Sequence, residues 1–448
     1  MGDIATTGSL GQQELEALLR IALDEATAQG VDQAEVAASH DLGLAATARL
    51  GEVENLEFTN DRGLGITVYR NHCKGSANTS DISPEAIREA VQKACAFASY
   101  TAEDQHAGLA DATLMCKDIV DLDLDHPSAL NSEQAIELAI ECEQAALSYD
   151  PRINNSEGAT ISTNRSARAY GNTHGFVGSY RKSSHSISCV VLGQQDGDMQ
   201  RDYHYSAARD PADLESARGI GETAAKRAVR RLGARKIKTT RVPVLFTPEL
   251  ARGFIGHAIG AIAGGAQYRH ASFLLDAVGE QIFPKFVSIQ ERPHLPKGMA
   301  SVAFDSEGVA TYDRDIVADG ELQGYVLSSY SARRLGLQTT ANAGGTQNLL
   351  VPGSSDDLAT LTRQMGTGLL VEELIGQGVN PVTGDYSRGA VGHWVENGEI
   401  QFPVHEVTIA GNLSELYKRI AAIGGDQDLR GGIRCGSLLV EEMTVAGN

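Results

Sequence analysis

Apolar residues recur every three to four positions over 12–29, where Leu15, Leu18, Leu19 and Ala22 share one face before Gly30. This pattern predicts an amphipathic helix with a glycine stop. Alternation of apolar and polar residues replaces it over 34–38, 43–50, 55–60 and 63–70, which predicts strands, with Asn60-Asp61-Arg62-Gly63 read as a tight turn. Ser83-Pro84-Glu85 then opens a second helix, with a capping serine and proline at the first helical position. The same order returns as a helix over 132–148, strands over 159–164, 166–172, 175–184, 186–192 and 199–206, and a closing helix over 214–232. Helix, antiparallel strands and helix, stated twice, predict an α+β domain with its helices on one sheet face. The repeat is one of element order, since the residues themselves are not similar.

Residues 234–238 mark a change in texture, which divides the chain into an N-terminal α+β domain (1–235) and a C-terminal domain (236–448). The second part is glycine-rich, with short apolar strands at 242–246, 301–304, 324–327, 366–374, 389–396, 399–409 and 436–445. Asn397-Gly398 between two of these predicts a hairpin. Helices are expected at 249–263, 355–365 and 413–423, which gives a mainly-β domain carrying one motif helix. Gly256, Gly260 and Gly264, four apart, predict close packing of that helix on a sheet.

Charge narrows the partners. The 448-residue chain carries a formal net charge of -20, which repels polyphosphates and argues against nucleic acid as a ligand. The basic run 226–231 is read as the solvated end of a helix, where cations suit the helix dipole. Six scattered cysteines without a CxxC spacing suit free thiols in a reducing compartment. Residues 4–19 are polar rather than a leader-like apolar run, and the apolar stretch 254–266 is too short to span a bilayer. The expected setting is the cytoplasm, away from membranes.

Most catalytic signatures fail. The stretch from Gly384 to Gly389 has one residue too many for a GxSxG elbow, and no phosphate-cradling Walker sequence occurs. The Asp121-to-His126 run lacks the glycine and final glutamate of a calcium loop. Asp305, Glu307 and Asp313 read as a solvated rim. No two of the twelve histidines lie within ten residues of each other, so every helical two-histidine zinc motif is excluded.

Several segments nevertheless resemble the TldD/PmbA metallopeptidase family, also called the modulator of DNA gyrase family, in its PmbA/TldE branch. They are Phe254-Ile255-Gly256-His257, Ser272-Phe273-Leu274-Leu275-Asp276, Phe304 to Val309, Ser329 to Arg333, Gly384 to Ala390, Trp394 to Ile400, Ile409 to Leu413 and Cys435-Gly436-Ser437. The resemblance implies a division of labour. The TldD branch carries HExxxH and a later cysteine, which bind zinc. Alignment on His257 puts Arg252 at the first histidine and Gly253 at the glutamate, while Cys435 falls on the ligand cysteine. Arginine is permanently cationic and glycine offers no base. The implied reading is a subunit with no catalytic residues and no metal of its own, His257 and Cys435 being vestigial. Zinc would sit in a TldD-like partner of a cytoplasmic heterodimer that acts on unfolded peptides and peptide precursors. A homodimer through the same surface is expected when the chain is alone.

Gly384, Asp385, Tyr386, Ser387 and Arg388 are the candidate border of a peptide groove. The glycine-bounded strands at 366–374 and 389–396 suggest peptide capture by an open strand edge. Two alternatives stand beside this reading: a stand-alone metallopeptidase with dispersed ligands such as His257 and Cys435, and a regulatory protein acting on gyrase.

Overall fold

The computed structural model describes residues 11–447. Its first half is a six-stranded antiparallel sheet with four helices on one face. In chain order the elements are α1 (Gln12–Ala28), β1 (Gln33–Arg49), β2 (Glu52–Arg70), β3 (Cys73–Thr79), α2 (Pro84–Ala98), α3 (Ser132–Leu147), β4 (Ile153–Asn172), β5 (Val177–Gln195), β6 (Asp198–Ala208) and α4 (Ala217–Arg231). The strand order is β3-β2-β1-β4-β5-β6, so the duplicated helix-strands-helix order becomes two halves joined along β1 and β4.

Period-two alternation explains how one strand serves both helix pairs. On β1, Ala34, Val36 and Ala38 pack under α1 and α2, while Leu44, Ala46 and Ala48 of the same face pack under α3 and α4. The strands are longer than the pattern suggested. The expected turn at Asn60–Gly63 lies inside β2, paired with Leu42 to Ser39 of β1. The reversal falls instead at Leu50-Gly51, both with positive φ. The buried Glu143 carboxylate accepts their backbone N–H groups at 2.8 and 2.9 Å. Polar Asn60-Asp61 mimicked a turn because both faces of this stretch of β2 are solvated.

The second half continues with β7 (Thr240–Phe246), α5 (Pro248–Ala261), α6 (Gly264–Tyr268), β8 (Ile289–Glu291), β9 (Arg314–Ala318), β10 (Glu321–Leu322), α7 (Ser329–Leu335), β11 (Leu349–Leu350), α8 (Leu358–Met365), β12 (Gly368–Ile375), β13 (Asp385–Glu396), β14 (Glu399–Asn412), α9 (Leu413–Lys418), β15 (Ile420–Ile423), β16 (Ile433–Arg434) and β17 (Leu438–Ala446). Strands β14, β13, β12, β7 and β17 follow one another, and β17 also pairs with β14. The sheet thus closes into a ring, with β15 attached to β17. A smaller sheet, β10-β9-β8-β11-β16, lies beside it.

The Asn397-Gly398 hairpin forms as expected, with φ of 53° and 77°. Stretches 301–304 and 324–327 are not strands; they make single bridges, Phe304 with Ala310 and Val326 with Ala263. Ring closure removes the edges on which strand capture depended. Strand β12 lies between β7 and β13, and β13 between β12 and β14.

Candidate functional site

Helix α5 is set by the sequence at its start. Pro248 takes the first helical position, Glu249 lies in the first turn, and β7 feeds directly into it. Its inner face buries Ala251, Phe254, Ile255, Ala258 and Ala261. Phe254 stacks on Phe246 at 5.2 Å and meets Tyr386 and Tyr417 edge-on at 5.9 and 5.2 Å. The Tyr417 hydroxyl donates to the Phe254 carbonyl at 3.0 Å, which ties α5 to the ring. This aromatic packing fixes the outer stripe of the helix: Arg252, Gly253, Gly256, His257 and Gly260.

That stripe is bare. A side chain started at Gly253 or Gly260 would meet nothing within 4 Å, and one at Gly256 only the Ile433 methyl at 3.7 Å. The glycine spacing therefore does not serve close packing along α5. Only Gly264 is packed tightly, and it belongs to α6, against Ser331 and Leu327.

Arg252 is held in a chain of charges. Its guanidinium donates to Asp428 Oδ2 at 3.2 Å and to the Tyr205 hydroxyl at 2.8 Å. Arg430 binds the same Asp428 at 2.8 Å, reaches Glu249 at 2.7 Å, and lies 4.3 Å over the Tyr205 ring. Arg227 of α4 closes the chain on Glu249 at 2.9 Å. Burial alone would raise the Glu249 carboxyl, but Arg227 and Arg430 override it and hold it at about 2. The chain binds α4 and β6 of the first sheet to α5 and the 428–430 loop. The basic run is accordingly not a solvated helix end: Arg227 binds Glu249, Arg230 binds Glu372, and the buried Arg231 binds Asp202 and Glu373.

His257 stands on the other side of the stripe, its ring 6.0 Å edge-on from Tyr386. Burial, reinforced by the Arg388 charge, lowers its pKa, so the imidazole is neutral at pH 7. Cys435 follows β16, which packs beside α5, and its carbonyl accepts the Asp428 N–H at 3.2 Å. The thiol is fully buried, and burial with the nearby Asp426 pushes it up to about 12. The structure thus gathers Arg252, His257 and Cys435 around one helix and its flanking strand.

Zinc is the metal that the resemblance implies, and these residues do not fit it. The first position is a guanidinium committed to Asp428, the second has no side chain, and the thiol is held protonated. Among the described residues no group of three His, Cys, Asp or Glu side chains is placed to hold a metal ion.

The Gly384–Arg388 stretch opens β13. Its backbone is paired with β14 on one side, and Ser387 N–H donates to Gly378 at 2.7 Å on the other. Asp385 and Ser387 face solvent; Tyr386 is 2% exposed, and its phenol is pushed up to about 12 by burial. Asp305, expected on a rim, is buried and accepts N–H groups from Glu307, Val309 and Ala343 at 2.9–3.0 Å. Asp428, Arg430, Tyr205 and Glu249 carried no sequence signal, and Arg227 only that of the basic run, because nothing local marks an ion pair between distant segments.

Comparison with known proteins agrees with this architecture over almost the whole chain. The PmbA/TldA metallopeptidase C-terminal domain matches residues 239–447, its central domain 125–232 and its domain 1 34–98. This chain belongs to the PmbA/TldD metallopeptidase family. The metalloprotease PmbA of Escherichia coli O157:H7 is 48% identical over 433 residues, covering 97% of this chain and 96% of that protein. A crystal structure from Bacteroides thetaiotaomicron, described as a modulator of DNA gyrase, superposes with a TM-score of 0.93 at 26% identity, over 98% of this chain and all of that one. TldE from Thermococcus kodakarensis shares the fold, with a TM-score of 0.85 at 20% identity over 98% of this chain and all of that one.

Proposed function

We propose that this chain is the non-catalytic, TldE-like subunit of a cytoplasmic zinc peptidase heterodimer. A TldD-like chain would supply zinc, the glutamate base and the activated water. The present chain would complete the substrate chamber for unfolded peptides and peptide precursors and stabilise its partner. The observation that carries this reading is the Arg252 guanidinium, which is committed to Asp428 at 3.2 Å, at the position that the resemblance sets on the first histidine of the catalytic branch. The ion-pair chain built on it is structural chemistry, joining two parts of the fold.

Two further features support it. All six cysteines are free, which suits a reducing compartment. Residues 52–63 of β2 pair with β1 alone, because β3 reaches only Leu64 to Arg70. On this open edge Val53, Leu56 and Phe58 are exposed, on the face that elsewhere packs under α3. An apolar open edge suits a partner strand. The edge carries Glu52, Glu54 and Glu57, which suits a related chain with basic edge residues.

The test mixes this chain with a TldD-like chain. The expected result is a stable 1:1 complex, burying on the order of 2,000 Å² as obligate pairs do, that cleaves an unfolded peptide. Two separate species in light scattering would count against it.

A further inference from the structure

The outer stripe of α5 has a feature that the loss of zinc chemistry does not explain. Arg388 lies two residues beyond Tyr386 on β13, hence on the same side of the strand, and its charge bears on both Tyr386 and His257. Among the described residues Arg388 has no hydrogen bond or carboxylate partner, in a chain whose formal net charge is -20. His257 makes no hydrogen bond there either, and its ring is steadied against Tyr386. Tyr386 is 2% exposed, and its hydroxyl also lacks a partner. Beside these groups runs the bare surface of Gly253, Gly256 and Gly260, a length of about 10 Å at 1.5 Å per helical residue.

We propose that Arg388 and His257 form a receptor for the terminal carboxylate of a peptide, whose preceding residues lie along the glycine stripe of α5. A guanidinium binds a carboxylate through two parallel N–H···O bonds, which makes an unpaired arginine beside a bare helix face a specific receiver for it. Neutral His257 adds one N–H donor. The three glycines leave the room that a peptide backbone needs. The inference rests on the reading of this chain as a subunit without its own metal chemistry, but it needs no partner chain to be tested.

Isothermal titration of the purified full-length chain uses trialanine, trialanine amide and inorganic phosphate as probes. Trialanine is expected to bind, and its amide about tenfold or more weakly, through the loss of a charge-assisted hydrogen bond. Arg388→Gln should abolish the preference for the free carboxylate, and Arg388→Lys should retain part of it, with folding checked by circular dichroism. Equal binding of trialanine and its amide, no binding of either, or an unchanged preference in Arg388→Gln would overturn the assignment. Displacement of trialanine by phosphate at equal concentration would do so too, by showing a general anion site. Zinc content near zero with no trialanine binding would remove this inference and leave the proposed function standing.

Discussion

Arg252 is a structural joint, tied to Asp428 and to the Tyr205 hydroxyl. Its partner Asp428 has a side chain only 1% exposed and also holds Arg430. Asp428→Ala should therefore destabilise the chain by about 1.5–3 kcal/mol, the loss of charged hydrogen bonds to Arg252 and Arg430. Urea denaturation measures it, and a change under 1 kcal/mol would refute the joint. Glu249 predicts a pH dependence. Its folded pKa of about 2 lies below the unfolded value, so its contribution is fully present above about pH 5 and disappears as pH falls towards 2. Glu249→Gln should flatten the fall in melting temperature between pH 5 and 2. At this scale the sequence disclosed what Arg252 and Gly253 could not do. It did not disclose what Arg252 does, because Asp428 and Tyr205 lie far away along the chain.

At the scale of elements, α5 was legible, expected at 249–263 and found over Pro248–Ala261, and Asn397-Gly398 fixed its hairpin. The lengths of β1, β2, β4 and β5 were not legible, because polar pairs such as Asn60-Asp61 can sit within a strand whose faces are wet. Ring closure was also hidden: the β14–β17 pairing joins residues 408–410 to 444–446, which no local pattern reports. The geometry of α5 bears on a designed reversal. Arg252→His with Gly253→Glu restores two histidines and a glutamate, and the space over Gly253 accepts the new side chain. Residues 252 and 257 lie about 140° apart on an ideal helix, so joint ligation needs local widening. Cys435 must also lose its proton, which a bound metal promotes. The double variant should bind zinc more tightly than the parent, as a zinc indicator would show. Hydrolysis should stay low, because the surrounding groups do not orient these ligands. Parent-like zinc affinity in a folded variant would refute the register of Arg252 and Cys435.

For the whole molecule, the first sheet and the closed ring are joined by the Arg227–Glu249–Arg430–Asp428–Arg252 chain, while the tail of β2 stays open. That division suits a subunit whose interior is settled and whose edge is left for a partner. Phe58→Glu should weaken association with a TldD-like chain about tenfold or more, as loss of a central apolar contact does, and leave the fold of the isolated chain unchanged. Light scattering across a dilution series would check it. The central claim is that this member of the PmbA/TldD family holds no zinc itself, and the most direct measurement is elemental analysis of the purified chain after mild dialysis. The account predicts zinc far below one ion per chain; about one ion per chain would contradict it.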